Sequence, residues 1–213
     1  QGELCWFEWG CNGAQPSLLL LHAPGFHARG WDQVVAHLPP ALHVVAVDVR
    51  GHGRSYRPAS LNNWMDAADD IVALVDDLFD SPVFIAGHSM GGVLAARIAA
   101  LRPKAVSGLL LIDPVIIAPD VYEAMSERPT ADPSEHPVSR RRNVWESAGQ
   151  MAAHFSDRVP YASWDRSVLD DYCQYGLLPA ADGSLELACP PALAPRPTLT
   201  PQMRLRRRQA KRP

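Results

Sequence analysis

The sequence predicts an α/β fold: a mainly parallel sheet with helices on both faces. Short continuous apolar runs alternate with helix-period segments, and turn residues bound each run. Of the 213 residues, 47% are hydrophobic and 20% charged, which is enough apolar side chain for a real core. The length suits one domain, or one domain with a sizeable insertion.

Ser17 to His22 is an apolar run that ends at Pro24-Gly25, as expected of a strand covered on both faces. Val44 to Asp48, Val83 to His88 and Leu109 to Asp113 read the same way. Leu4 to Trp9 alternates and suits an outer strand. Trp64 to Phe79 places Ile71, Val72, Leu74, Val75 and Leu78 on one helical stripe. Its Asp69, Asp70, Asp76 and Asp77 are expected on a solvated face. Met90 to Arg102 is a small, apolar helix fit for close packing on the sheet. A shorter helix is expected over Trp31 to Leu38, stopped by Pro39-Pro40.

After Asp113 the pattern changes. Residues 118–140 read as a loop, Asn143 to Phe155 and Ser167 to Tyr175 as helices, and 182–189 as the end of this insertion. The expected organisation is a core over 1–117, a helical cap over 118–189 and a basic tail over 190–213. That tail holds seven Lys and Arg, no acid and six prolines, whereas residues 1–189 carry a net charge of −10. Three readings of it stand: the product of a frameshift or mis-called splicing of G+C-rich DNA near codon 189, a solvated disordered arm, or an arm that binds nucleic acid or an anionic membrane. Nucleic-acid binding is the least favoured of the three.

The four cysteines, Cys5, Cys11, Cys173 and Cys189, form no CxxC pair and are too sparse for a disulfide scaffold. No apolar run is long enough to cross a bilayer and no signal peptide is visible, so a cytoplasmic location is expected. The chain does not begin with Met, so it reads as a fragment. No residue cluster suggests a metal or a cofactor, and the oligomeric state is not legible.

The strongest local signal is Gly87-His88-Ser89-Met90-Gly91-Gly92, a G-x-S-x-G between an apolar run and a helix. Its glycines permit a sharp turn with Ser89 at the carboxyl end of the strand, and the helix that follows offers N–H groups to an oxyanion. With this hexapeptide, His22-Ala23-Pro24-Gly25-Phe26 after one strand and Asp48-Val49-Arg50-Gly51-His52-Gly53-Arg54-Ser55 after the next, the chain resembles the α/β-hydrolase superfamily in its cap-bearing esterase and lipase-like branch.

The resemblance implies an α/β-hydrolase sheet, no cofactor, and hydrolysis of a small ester-like substrate through an acyl-serine. Ser89 would be the nucleophile and the Met90 N–H one oxyanion donor. The aligned second donor is Pro24, which has no N–H, so Gly25 or Phe26 must serve or the hole is half built. Family members order their groups Ser, Asp or Glu, then His. Asp113 is the acid candidate because it ends a strand. Only His136 and His154 remain as bases downstream, and neither follows a strand.

The chain therefore looks like a hydrolase lacking its last strands and its catalytic histidine. The rivals are a non-catalytic pseudoenzyme or broken gene product, and a cofactor-free haloperoxidase or acyltransferase relative. His22 and His52 are expected to brace loops, His88 to line a pocket, Asp48 and Arg50 to tie their turn together by hydrogen bonds and an ion pair, and Arg140 to Arg142 to be solvated.

Overall fold

Five strands form the main sheet of the computed structural model, which describes residues 2–10, 17–58, 64–118 and 140–191. They are β1 (Cys5–Trp9), β2 (Leu18–Leu21), β3 (Val44–Asp48), β4 (Val83–His88) and β5 (Val106–Ile112), in the order β1-β3-β2-β4-β5. β3, β2, β4 and β5 run parallel, and β1 closes one side antiparallel to β3. The register puts Leu21 beside Gly87, so the loops after β2 and β4 leave the sheet together. Cys11, His136, most of the loop expected over 118–140 and tail residues 192–213 lie outside the described residues.

Period-two alternation divides the strand residues between two cores. Leu19, Leu21, Val45, Val47, Val83 and Ile85 face helices α2 (Trp64–Leu78) and α3 (Met90–Leu101). Leu20, Val44, Ala46 and Ala86 face a 3-10 turn (Ala28–Trp31) and the short α1 (Asp32–Val35). α2 buries Ile71, Val72, Leu74 and Val75 of the expected stripe, with Ile71 fully enclosed and Leu78 half-buried. At roughly 1.5–3 kcal/mol for each large side chain buried, this stripe outweighs the helix propensity of α2 as the reason it forms. The helix expected over Trp31 to Leu38 ends at Val35. Pro39 disfavours helical geometry at Leu38, and His37 and Leu38 close i→i+3 turns onto Val34 and Val35.

The acidic face of α2 is only partly solvated. Arg50 reaches across from the β3 side and donates to both oxygens of Asp70 at 2.5 and 2.6 Å, and Asp66 lies 3.7 Å away. Asp76 pairs with Arg102 at the end of α3. The first of these pairs corrects the ion pair expected between Asp48 and Arg50.

Residues 140–191 form a second layer with its own hydrophobic cluster, centred on Trp145, Met151, Leu169, Tyr172 and Cys173. It comprises β6 (Val144–Trp145), α4 (Ala148–Phe155), α5 (Arg166–Tyr175), β7 (Leu177–Pro179) and β8 (Leu185–Leu187), with the strands in the antiparallel order β6-β8-β7. The helix expected from Asn143 starts later. Val144 and Trp145 pair with Glu186 and Leu185, and Ser147 caps α4 by accepting the Gln150 N–H at 3.0 Å. The small sheet was not anticipated, because strands of two or three residues carry no readable period.

Among the described residues β5 is an outer strand, paired with β4 alone. Phe84, Leu110 and Ile112 share a face with no helix over it among the described residues, and Leu110 is 52% exposed. No charge interrupts β5, and an open, apolar edge of this kind templates association. Leu110→Lys is therefore expected to raise the monomer fraction in size-exclusion chromatography and to slow light-scattering growth on warming. Equal behaviour of the two proteins would show that this face does not drive association.

Candidate active site

The candidate site lies where β4 gives way to α3. Ser89 has φ 53° and ψ −113°, left-handed backbone that a β-carbon disfavours, at a cost of about 1–3 kcal/mol. The surroundings impose it. Gly91 packs so tightly on the carbonyl of Leu21, and Gly87 on that of Gly91, that a β-carbon at either position would collide with backbone. The Ser89 N–H donates to the carbonyl of Ile112 at 2.9 Å, and the Ser89 carbonyl accepts from Gly92 and Val93 as α3 begins. Met90 N–H stands in the first turn of that helix, where N–H groups lack intrahelical acceptors and an anion is favoured.

The loop after β2 forms the neighbouring wall. His22 is buried and bridges two strands: its Nδ1–H donates to the Ala23 carbonyl at 2.8 Å and its Nε2 accepts the Val49 N–H at 3.0 Å. His52 is also buried, with its Nδ1 on the Arg50 carbonyl and its ring 5.0 Å from that of His22. Burial depresses each imidazole to about 3, helped in His52 by the neighbouring ring, so both are neutral braces. Asp48 is fully buried and accepts the N–H groups of Ala28 at 2.7 Å and Arg54 at 2.8 Å, clamping the loops after β2 and β3 together.

The loop expected to supply a second oxyanion donor is residues 24–26. Pro24 has no N–H, and the Phe26 N–H is engaged by the Ala23 carbonyl at 3.1 Å. Above the loop, the Phe26 ring meets His88 edge-on at 6.2 Å, Trp164 at 5.7 Å and Tyr172 at 5.2 Å. His88 is thus turned toward the aromatic side chains of the second layer.

The remaining candidates are not brought together. Asp113 follows Ile112 directly, which places it near the Ser89 turn, but it is exposed, at φ 43°, with no hydrogen bond among the described residues. His154 sits in the second layer, its ring edge-on to Trp145 and Phe155 at 5.2 Å each. No hydrogen bond joins the Ser89 hydroxyl to an imidazole among the described residues.

Arg141 was missed by sequence reasoning. It is half-buried rather than solvated, donating to the Tyr172 hydroxyl at 3.2 Å and lying against Gly25. Arg142 lies 4.2 Å over the Trp145 ring. In a run of three identical residues, no local signal marks the one that turns inward.

A model of the alpha/beta hydrolase family matches residues 18–210. The chain belongs to this family. It is 35% identical to lipase LipV of Mycobacterium tuberculosis over 135 residues, covering 60% of this chain and 51% of that protein. An esterase of the same organism is 34% identical over 114 residues, which cover 53% of this chain and 37% of that one. Among solved structures, the thioesterase domain from the curacin biosynthetic pathway superposes with a TM-score of 0.72 at 23% identity, over 92% of this chain and 69% of that one. That likeness concerns the fold. The chain spans about half the length, or less, of the curated relatives it matches.

Two outcomes test this geometry. Gly91→Ala forces a β-carbon onto the Leu21 carbonyl and is expected to lower the stability by more than about 2 kcal/mol in urea unfolding. His22 and His52 give a signed pH dependence. The unfolded chain protonates each near its ordinary 6.5, while the folded chain leaves both neutral until about 3. Their contribution is therefore complete above 6.5 and is lost as the pH falls toward 3, with a slope of up to about 2.7 kcal/mol per pH unit for two protons. His52→Phe should remove about one proton from that slope.

Proposed function

We propose that this chain is a serine hydrolase acting on an ester-like bond, with Ser89 as nucleophile and residues 140–191 as a cap over it. The observation that carries the reading is the backbone of Ser89, held at φ 53° between β4 and α3 by glycines that leave no room for side chains. Such a turn presents the hydroxyl at the carboxyl end of the sheet, beside the first N–H groups of a helix.

In this reaction the Ser89 oxygen adds to the ester carbonyl while its proton passes to a base. The carbonyl oxygen gathers negative charge against the Met90 N–H, and collapse of the adduct expels the alcohol. Water repeats the sequence on the acyl-serine. His154 and Asp113 are the base and acid candidates within the described residues, and neither is in hydrogen-bonding contact with Ser89. With no imidazole on the hydroxyl among the described residues and no N–H at Pro24, slow turnover is expected; a single missing donor costs about 10²–10³ in rate. The apolar aromatic lining of Phe26, Trp164 and Tyr172 suits an ester with hydrocarbon character.

The same two deficits favour a second reading, a protein that keeps the fold without the chemistry. Transfer of the acyl group to an acceptor other than water shares every step up to acyl-Ser89. A fluorophosphonate probe separates the catalytic and non-catalytic readings. A nucleophilic Ser89 is labelled slowly but stoichiometrically, and Ser89→Ala abolishes the labelling. Absence of labelling between pH 6 and 9 would establish the non-catalytic reading.

A further inference from the structure

The half-buried and exposed arginines of this chain fall into two groups. Arg29, Arg50, Arg102 and Arg166 each hold a carboxylate. Arg54, Arg57, Arg97, Arg140, Arg141, Arg142 and Arg158 hold none among the described residues, and of these Arg141 reaches the Gly25 loop and Arg57 the end of the second layer. Arg141 enters from the start of the second layer. One of its terminal nitrogens donates to the Tyr172 hydroxyl, and the other stands so close to Gly25 that a β-carbon there would come within 2.7 Å of it. Arg57 enters from the segment after β3 and donates to the carbonyls of Leu187 and Ala188 at 3.4 Å each.

Leu187 and Ala188, whose carbonyls take Arg57, run directly into Cys189 and its buried thiol. Burial pushes this thiol up to about 11 against the opposing pull of Arg141 and Arg57, so it is neutral at ordinary pH and supplies no counter-charge. Gly25 belongs to the loop that leaves the sheet beside Ser89, since Leu21 and Gly87 are neighbours in the register, and its successor Phe26 touches His88.

We propose that Arg141 and Arg57 form the carboxylate-recognising end of the Ser89 site, so that the substrate is an ester that itself carries a carboxylate; this rests on the acyl-Ser89 reading above. Arg141 is drawn partly out of water with no counter-ion among the described residues, which is costly, and a substrate carboxylate supplies that charge in the planar, two-pronged geometry that arginine favours, with the exposed Arg57 adding to the field. Arg141 uses one donor nitrogen on Tyr172 and keeps others for a ligand. Its connection to Tyr172, which packs on Phe26, ties charge recognition to the aromatic wall. Arg141 is a specificity-determining residue here, without a part in bond making.

The test is calorimetric titration of the full chain bearing Ser89→Ala, so that no turnover intervenes, with monomethyl glutarate and with dimethyl glutarate, which lacks the charge. The monoester is expected to bind about tenfold more tightly, and the preference should shrink as salt rises from about 20 to about 300 mM. Arg141→Gln should remove the preference while changing the affinity for the diester less than about twofold, and Arg141→Lys should restore part of it. Arg57→Gln, at an exposed position with no contact to Tyr172, should reduce the preference several-fold and guards against a folding defect in the Arg141 variants. Equal affinity for the two esters, no binding of the monoester, or a preference that survives both Gln variants would overturn the proposal. A charge preference found without fluorophosphonate labelling upholds the subsite and removes the nucleophile. Labelling without a charge preference upholds the nucleophile and removes the subsite.

Discussion

The approach of α3 to β2 is the constraint on which the rest of this structure depends. Gly91 lies against the Leu21 carbonyl with no space for a β-carbon, and Gly87 meets Gly91 in the same way across the turn. Once helix and strand are this close, the residue between Gly87 and the first turn of α3 must reverse the chain sharply, and Ser89 does so at positive φ. Backbone of this kind persists only where its surroundings over-determine it. The surroundings here are the five-stranded sheet, the buried face of α2 and the hydrogen bond from Ser89 N–H to Ile112.

Around that turn the chain builds supports of uneven completeness. Asp48, His22 and His52 are buried and brace the loops that follow β2 and β3. In the loop after β2, Pro24 has no N–H and the Phe26 N–H is turned to the Ala23 carbonyl. Over the same loop the second layer contributes a wall of aromatic rings and an arginine. Among the described residues the Ser89 hydroxyl has no imidazole partner, and both proposed readings start from that fact.

Much of this was legible in the sequence. The central strands and α2 could be read because each is a long enough run with one period and a clear boundary, and the Ser89 turn could be read because G-x-S-x-G stood between a strand and a helix. What was missed had no local signature. Val144 and Trp145 join a strand only because Leu185 and Glu186 lie opposite, and Asp70 leaves the solvated face of its helix only because Arg50 arrives from another segment. Arg141 is chemically identical to the residues on either side, and its inward turn is decided by Tyr172, some thirty positions away. Charge and register partners distant in sequence are invisible to a reading that moves along the chain.

Ser89 as a nucleophile is most directly tested by the mass of the intact chain after brief exposure to an activated ester such as p-nitrophenyl acetate, followed by peptide mapping. An acyl-serine mechanism predicts the gain of one acetyl group per chain, carried by the peptide that contains Ser89 and absent from Ser89→Ala. An unchanged mass, or acetyl groups scattered over lysines and equally present in Ser89→Ala, would contradict it.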